Sequence, residues 1–191
     1  ASSHLLASAA LKKHVVERCM GDILAAAELL ADTFRRGGKV FLCGNGGSAA
    51  DCQHVAGEFV SLLNKDNHRP ALPAIALTTD SSFLTAYAND FGYEGVFRRQ
   101  LEALAAPGDA LVGISTSGGS VNVTKALEYA REAGVKSIVL MGEGGAMQEI
   151  GDVVVAIPST DTQLIQEAHL TVEHVLCDLV EMELYPAISA G

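Results

Sequence analysis

One stretch, residues 39–58 (KVFLCGNGGSAADCQHVAGE), constrains the fold more than any other part of the chain. Its order predicts a short apolar strand over residues 40–43, a glycine-rich turn, and a helix that starts at Ser48. Ser48 and Asp51 fit a capping box at that helix start. Glycines permit close backbone approach, and free N–H groups at a helix N-terminus attract anions. The stretch therefore predicts a phosphate-binding turn.

A second turn of the same kind follows a later strand. Residues 110–114 are typical of a strand, residues 115–120 (STSGGS) form a Gly/Ser turn, and residues 121–133 predict a helix capped by Ser120. Further strands are expected at 74–78, 137–141 and 153–157, with helical segments at 80–88, 94–105, 146–150 and about 162–184, and a loop at 89–92. This alternation predicts an α/β fold, a doubly wound five-stranded parallel sheet with helices on both faces. Both turns would then lie at the carboxyl edge of the sheet, where ligands bind.

The segment before the first strand predicts an N-terminal helical extension. Residues 4–36 carry apolar residues at helical spacing and end in Arg-Arg-Gly-Gly, a C-terminal signal. They form one long helix, or two with a break near Gly21. We expect a single structural domain, in which residues 1–36 pack against a partner subunit and residues 37–191 form the sheet and its site.

Composition excludes several classes of protein. The formal charge of −10 argues against non-specific nucleic-acid binding, which needs clustered Lys and Arg. No run approaches the roughly 20 apolar residues of a membrane span, and the first residues do not resemble a secretion signal. The four cysteines show no C-x-x-C spacing, which favours reduced thiols in a cytoplasmic protein over a cysteine metal site.

The two turns do not match the common nucleotide motifs. GNGGSAAD lacks the lysine of a P-loop and the third glycine of a dinucleotide fingerprint. One Gly-rich turn alone can be purely structural. Two such turns, the second with four hydroxyl residues in six, favour binding of a phosphate.

A second kind of chemistry lies on two helices. His54 and Glu58 fall one turn apart on one helix face. Taken alone, this spacing is typical of a simple surface ion pair. The last helix adds His174 among apolar residues, and the three side chains make a nitrogen and oxygen set suited to a first-row metal. Gln166 is a possible fourth ligand. Its eight-residue separation from His174 is about 12 Å of helix, so one ion reaches both only across an irregular helix start or from different subunits.

Together these motifs resemble a known family. CGNGGSAAD, H-x-x-x-E, AIAL, NDFG, GDxLxGISTSGxSxNV and IQExHxxxxH are similar to the phosphoheptose isomerases, which are sugar isomerase (SIS) domain proteins. The resemblance covers residues 4–184. It implies an SIS-type fold, a homotetramer with active sites at subunit interfaces, and one divalent metal per subunit, typically zinc. The substrate would be sedoheptulose 7-phosphate and the product would feed nucleotide-activated heptose synthesis for lipopolysaccharide.

The resemblance also implies roles for single residues. The metal ligands would be His54, Glu58, Gln166 and His174, with Glu58 as catalytic base and His174 as its acid/base partner. The substrate would contact Asn45, Gly46, Gly47, Ser48, Asp90, Ser115, Thr116, Ser117, Ser120 and Gln166. Within that set, Ser48 and the hydroxyls of the second turn would hold the phosphate, and Asn45 and Asp90 would lie near the sugar.

Two departures from the family leave alternatives open. Leu62 and Leu164 stand where relatives often have Arg, although Lys65, His68 or Arg69 could replace those phosphate contacts. One alternative is therefore an isomerase of another sugar phosphate. Another is a non-catalytic SIS-fold regulatory or scaffold protein that binds the replication initiator. Such relatives tend to lack the glutamate of H-x-x-x-E, and the presence of Glu58 favours an enzyme.

Overall fold

Five parallel strands form the centre of the molecule in the order β2-β1-β3-β4-β5. The computed structural model describes residues 2–65 and 67–186. The strands are β1 (Val40–Gly44), β2 (Ala74–Ala76), β3 (Ala110–Ser115), β4 (Lys136–Gly142) and β5 (Val153–Ile157). The helices are α1 (Ser2–Arg35), α2 (Gly47–Val60), α3 (Ser81–Phe91), α4 (Val96–Leu104), α5 (Val121–Glu132) and α6 (Thr162–Leu184). Short 3-10 turns span Tyr93–Gly95 and Ala146–Glu149.

The strand order places a topological switch point between β1 and β3. From β1 the chain adds β2 on one side and then crosses to β3 on the other. Their registers pair Val40 with Ala110 and Gly44 with Ile114, so both strands end at the same edge. A crevice outside such a switch point is the usual binding place in an open parallel sheet. The two Gly/Ser turns follow these two strands.

Apolar layers cover both faces of the sheet, as the alternation along β1 requires. Val40 and Leu42 belong to the layer with α1, α2 and α6, whereas Phe41 and Cys43 belong to the layer with α4 and α5. The predicted doubly wound fold with helices on both faces is confirmed. The residues that α1 buries recur at helical spacing, among them Leu11, Val15, Cys19, Ile23, Ala27 and Leu30.

Several predicted boundaries are confirmed and others are wrong. β5 and α6 have the predicted bounds, and α1 is one continuous helix with no break at Gly21. The predicted loop at residues 89–92 is instead the end of α3, which continues to Phe91 and ends at Gly92, whose φ of 90° suits glycine. The predicted helix from residue 94 begins as a 3-10 turn. Residues 187–191 of the predicted sheet domain lie outside the described residues.

Within the described part of the chain, no helix is long and apolar enough to cross a membrane.

Candidate active site

The first turn brings α2 to the carboxyl edge of the sheet. Gly46 is the N-cap of α2, with φ 58° and ψ −119°, a conformation that favours glycine. The predicted capping box is wrong, because no side chain caps this helix and both Ser48 and Asp51 lie inside it. At Gly47, an added Cβ would lie 1.9 Å from Nε2 of Gln166, so this side chain of α6 packs against the glycine. The first turn of α2 is therefore packed directly against α6.

The second turn gathers three hydroxyl groups. Ser115, the last residue of β3, has its Oγ 2.8 Å from Oγ of Ser120 and 3.4 Å from Oγ of Ser117. Ser120 is the N-cap of α5 as predicted, but its side chain makes no capping hydrogen bond. The hydroxyls face one another at the N-terminus of α5, where the helix dipole favours an anion. Thr116 stabilises the turn differently, since its carbonyl accepts a hydrogen bond from Gly142 N at 3.1 Å.

A pair of side-chain amides joins the two turns. Asn45 Nδ2 donates to Asn122 Oδ1 at 2.8 Å, and Asn122 Nδ2 donates to Asn45 Oδ1 at the same distance. Asn122 Oδ1 also accepts from Val123 N at 3.0 Å. Asn122, which is buried in the first turn of α5, was not predicted as a site residue. The available sequence signal was an Asn two residues after Ser120, matched by Asn45 in the first turn.

The metal-type residues predicted on α2 and α6 converge. Oε1 of Glu58 lies 2.9 Å from Nε2 of His54 and 3.3 Å from Nε2 of His174, and the two imidazole nitrogens are 2.9 Å apart. The side chain of Glu58 is 13% exposed, and those of the histidines are 45% and 44% exposed. Ligands at about 2.0–2.1 Å from a tetrahedral ion lie roughly 3.3 Å apart. The spacing of the three atoms suits one first-row divalent ion.

The chemistry of this trio also fits a cation. All three atoms can act as acceptors, so without a shared proton or a cation their lone pairs repel one another. Among the described residues, Oε2 of Glu58 is buried without a hydrogen-bond partner. A trio open to solvent on its histidine side leaves room for a substrate oxygen, as catalytic metal sites do.

Gln166 lies beside Gly47 and Asp51, eight residues before His174 on α6. Its Nε2 is 3.5 Å from Oδ2 of Asp51, and α6 is regular from Thr162 onward. The irregular helix start that would let one ion reach both residues of one chain is therefore ruled out. A role for Gln166 as ligand now requires that it come from another subunit, and that role stays a prediction.

Asp90 is the predicted site residue whose surroundings differ most from expectation. It lies in the last turn of α3 and is exposed, and its Oδ1 accepts a hydrogen bond of 2.8 Å from Asn89. Its contact with a sugar stays a prediction. Arg69, considered above as a phosphate ligand, is buried, and its guanidinium is bonded to Glu181 and to main-chain carbonyls. Lys65 and His68 are exposed.

Buried titratable groups lie beneath the trio. Burial raises the pKa of Glu173 to about 8, and the negative charges of Asp51 and Glu58 add to that effect. Burial also raises the pKa of Asp51, which Gln166 partly offsets by donating a hydrogen bond. Burial raises the pKa of the Cys177 thiol beside Glu58 far above its ordinary value, so this thiol stays protonated. The position of Cys177 beside the site was not predicted from the sequence.

Comparisons with known proteins agree with this geometry. The pattern of the SIS domain family matches residues 4–142. A phosphoheptose isomerase from Chlorobaculum tepidum is 54% identical over 179 residues, which are 93% of this chain and 86% of that protein. The structure of a phosphoheptose isomerase from Neisseria gonorrhoeae is 40% identical, with a TM-score of 0.88, and the match covers 94% of this chain and 96% of that one. A phosphoheptose isomerase from Francisella tularensis is 35% identical, with a TM-score of 0.90, and the match covers 95% and 96% of the two chains.

Proposed function

Since this chain belongs to the phosphoheptose isomerase family of SIS-domain proteins, an enzyme family of aldose–ketose isomerases, we propose that it converts sedoheptulose 7-phosphate to D-glycero-D-manno-heptose 7-phosphate. The observation that carries the proposal is the convergence of Glu58 with two imidazoles from separate helices. The two hydroxyl-bearing turns lie at the carboxyl edge of one sheet, and α2 and α6, the helices that carry the trio, begin at that edge.

The phosphate would bind at the second turn. Ser115, Ser117 and Ser120 offer three hydroxyls beside the N-terminus of α5, which carries partial positive charge. Ser48 and the glycines at the start of α2 would supply further contacts, with Thr116 and Asp90 as additional predicted ones. The Asn45–Asn122 pair fixes the two turns relative to each other. Such a site can hold an anion within a protein whose formal charge is −10.

Proton transfer would be the work of Glu58 and His174. Converting the ketose to the aldose moves one proton from C1 to C2 and another from O1 to O2, through an enediolate. A carboxylate held by packing suits the transfer between carbons, and a half-exposed imidazole suits the transfer between oxygens. A positioned acid or base contributes about 10²–10⁴ in rate.

His54, Glu58 and His174 would hold a divalent metal, and we propose zinc, one ion per subunit. When bound, the metal would polarise the carbonyl and the adjacent hydroxyl of the substrate. A Gln166 side chain from a neighbouring subunit would complete the ligand set. This last point links the metal to the proposed homotetramer with interfacial sites.

Exposed apolar residues on the outer helices support assembly. Val16, Met20 and Leu24 form an i, i+4 stripe on α1 and are 60%, 38% and 51% exposed. Leu170, Val175 and Met182 are similarly exposed on α6. Within the proposed single domain, residues 1–36 would therefore serve oligomer packing. The four buried free thiols suit the proposed cytoplasmic location, where thiols stay reduced.

One observation keeps a second substrate in view. Leu164 is apolar and packs against the core, at a position where relatives often have Arg. Arg69 is buried, so it does not replace that phosphate contact. Turnover compared across ketose phosphates of five, six and seven carbons tests this point. Highest kcat/KM on sedoheptulose 7-phosphate supports the proposal. Preference for a shorter ketose phosphate would overturn the substrate, and absence of turnover on all of them would overturn the enzyme.

A further inference from the structure

A buried ion pair links α6 to the loop after α2, and neither of its two residues belongs to the proposed site. The side chains of Arg69 and Glu181 are 1% and 2% exposed, and Oε1 of Glu181 lies 2.7 Å from both Nε and one terminal guanidinium nitrogen of Arg69. Arg69 belongs to the loop after α2, and Glu181 lies on α6. The pair therefore ties the loop after α2 to the last turn of α6.

On the α2 side, Arg69 binds the carbonyls at the helix end. One terminal nitrogen donates to the carbonyl of Glu58 at 2.8 Å, and the other donates to the carbonyl of Phe59 at 2.9 Å. Carbonyls in the last turn of a helix have no intrahelical donor. Arg69 supplies the donor for the Glu58 carbonyl, whereas the Phe59 carbonyl also accepts from Leu72 N at 3.0 Å. The guanidinium thus fixes the backbone of the residue that carries the converging carboxylate.

On the α6 side, Glu181 stands seven residues after His174. That spacing is two helical turns, which places both residues on the same side of α6. Oε1 of Glu181 also accepts a hydrogen bond of 3.3 Å from Leu63 N, just beyond α2. Movement of this contact would tilt α6 against α2, and the distance of 3.3 Å between Glu58 and His174 depends on that tilt.

Stability alone explains this arrangement poorly. A buried ion pair costs much of its attraction in lost hydration, and apolar residues of similar size often replace one without loss of stability. Among the described residues, Oε2 of Glu181 has no hydrogen-bond partner, so one carboxylate oxygen of the pair is buried without a donor. What apolar residues cannot reproduce is the guanidinium donor to the Glu58 carbonyl.

We propose that Arg69 and Glu181 are positioning residues for the metal and proton-transfer site, acting by holding Glu58 and His174 at ligand distance. They touch neither substrate nor metal. The inference deepens the proposed function and rests on it for the reaction, but its effect on metal binding can be measured without turnover. Outer partners of metal ligands are typically worth about 10–100-fold in metal affinity.

Three variants separate positioning from stability. Arg69→Lys keeps the positive charge but loses the planar guanidinium with its several donors. Glu181→Gln keeps the shape and loses the negative charge. The double variant R69M/E181L replaces the pair by apolar side chains. Asp109→Asn is the matched control, because Asp109 is a buried carboxylate that accepts from Lys39 and Ala106 where β1 and β3 begin, and it contacts neither α2 nor α6 through these bonds. Each protein is measured for its melting temperature, for Co²⁺ affinity and absorption spectrum, and for kcat and KM.

We expect Arg69→Lys and R69M/E181L to bind Co²⁺ about 10–100-fold more weakly, with an altered spectrum. The double variant regains the melting temperature lost by Arg69→Lys but not the metal affinity. Kcat falls in both while KM stays within about twofold, because the phosphate contacts are untouched. Asp109→Asn melts lower and binds Co²⁺ like the native protein.

Native Co²⁺ affinity and spectrum in Arg69→Lys and Glu181→Gln would overturn the inference, whatever their melting temperatures. So would recovery of metal affinity together with stability in the double variant. A native protein that binds Co²⁺ at the trio but isomerises no sugar phosphate would overturn the proposed function and leave the positioning result standing on metal affinity alone.

Discussion

Nε2 of His54 lies 2.9 Å from Nε2 of His174, although 120 positions separate the two residues in the chain. The rings meet edge to face, with centroids 5.0 Å apart and an angle of 85° between their planes. Two nitrogens at this distance need a proton or a cation between their lone pairs. The fold thus brings together, from α2 and α6, half of the proposed metal site, which neither helix could form alone.

Replacing one of these nitrogens tests the metal site directly. We expect His54→Gln to weaken Zn²⁺ binding by more than about 100-fold, because loss of a ligand exceeds the usual effect of an outer partner. Competition with a chelating dye measures the change, and His14→Gln, an exposed histidine on α1, is the control. Equal affinity in His54→Gln and the native protein would remove His54 from the ligand set.

The amide pair between the turns predicts an effect on substrate binding. In Asn122→Asp a carboxylate oxygen would face the carbonyl oxygen of Asn45 and add negative charge beside the proposed phosphate site. Losing this bond costs about 1–3 kcal/mol, and KM for the sugar phosphate should rise at least tenfold. Steady-state kinetics give the answer. Asn67→Asp adds the same charge in the loop after α2 and should leave KM unchanged; a native KM in Asn122→Asp would refute the role of the pair.

Gly47 gives an indirect test of Gln166. A Cβ at this position would lie 1.9 Å from Nε2 of Gln166, the movable end of that side chain, so Gly47→Ala should displace it without unfolding the helix. We expect a loss of about tenfold or more in kcat/KM, and no further loss when Gln166→Ala is added. Additive losses in the double variant would show that Gly47 acts independently of Gln166.

His169 predicts the pH dependence of stability. Burial lowers the pKa of His169 to about 4, although the main-chain carbonyl of Met141 favours its charged form. Among the described residues, neither ring nitrogen makes a hydrogen bond of normal geometry. The unfolded chain binds this proton near pH 6.5 and the folded protein does not, so the contribution of His169 to stability falls as the pH drops from about 6.5 to 4. The contribution is on the order of 3 kcal/mol. The raised pKa of Glu173 acts in the opposite direction over this range.

Urea unfolding of the metal-free protein between pH 4.5 and 7.5 measures this effect. In His169→Met, the contribution that the native protein loses in acid should be absent from the free energy of unfolding, since methionine fills the space without titrating. His14→Gln, on the exposed side of α1, should retain the native decline. An unchanged decline in His169→Met would show that other groups control the acid sensitivity.

The sequence predicted the fold well because its signals are local. Periodic apolar residues gave α6 and β5 their observed bounds, and alternation of strands and helices gave the parallel sheet. The turns were predictable for the same reason, since a strand, a glycine run and a helix are adjacent in the chain. The spacing of His54 and Glu58 also follows from one helix face.

What the sequence could not give are relations between distant segments. Asp51 resembles a capping residue, but the cap is Gly46 and Asp51 meets Gln166 from α6. Arg69 resembles a free cation for phosphate, but burial against Glu181 removes it from solvent. Both errors have one cause: a polar side chain takes the partner that tertiary packing brings, which local spacing does not contain.

We propose that the trio of His54, Glu58 and His174 performs metal-dependent isomerisation. Turnover of sedoheptulose 7-phosphate by metal-stripped protein, with and without added zinc, beside Glu58→Gln, tests this proposal. Glu132→Gln, an exposed acid at the end of α5, is the control. We predict zinc-dependent activity that falls by about 10²–10⁴ or more in Glu58→Gln and stays native in Glu132→Gln. Near-native turnover by Glu58→Gln would contradict the role of Glu58 as the base. Absence of turnover by folded native protein with any divalent metal would contradict metal-dependent isomerisation at the trio.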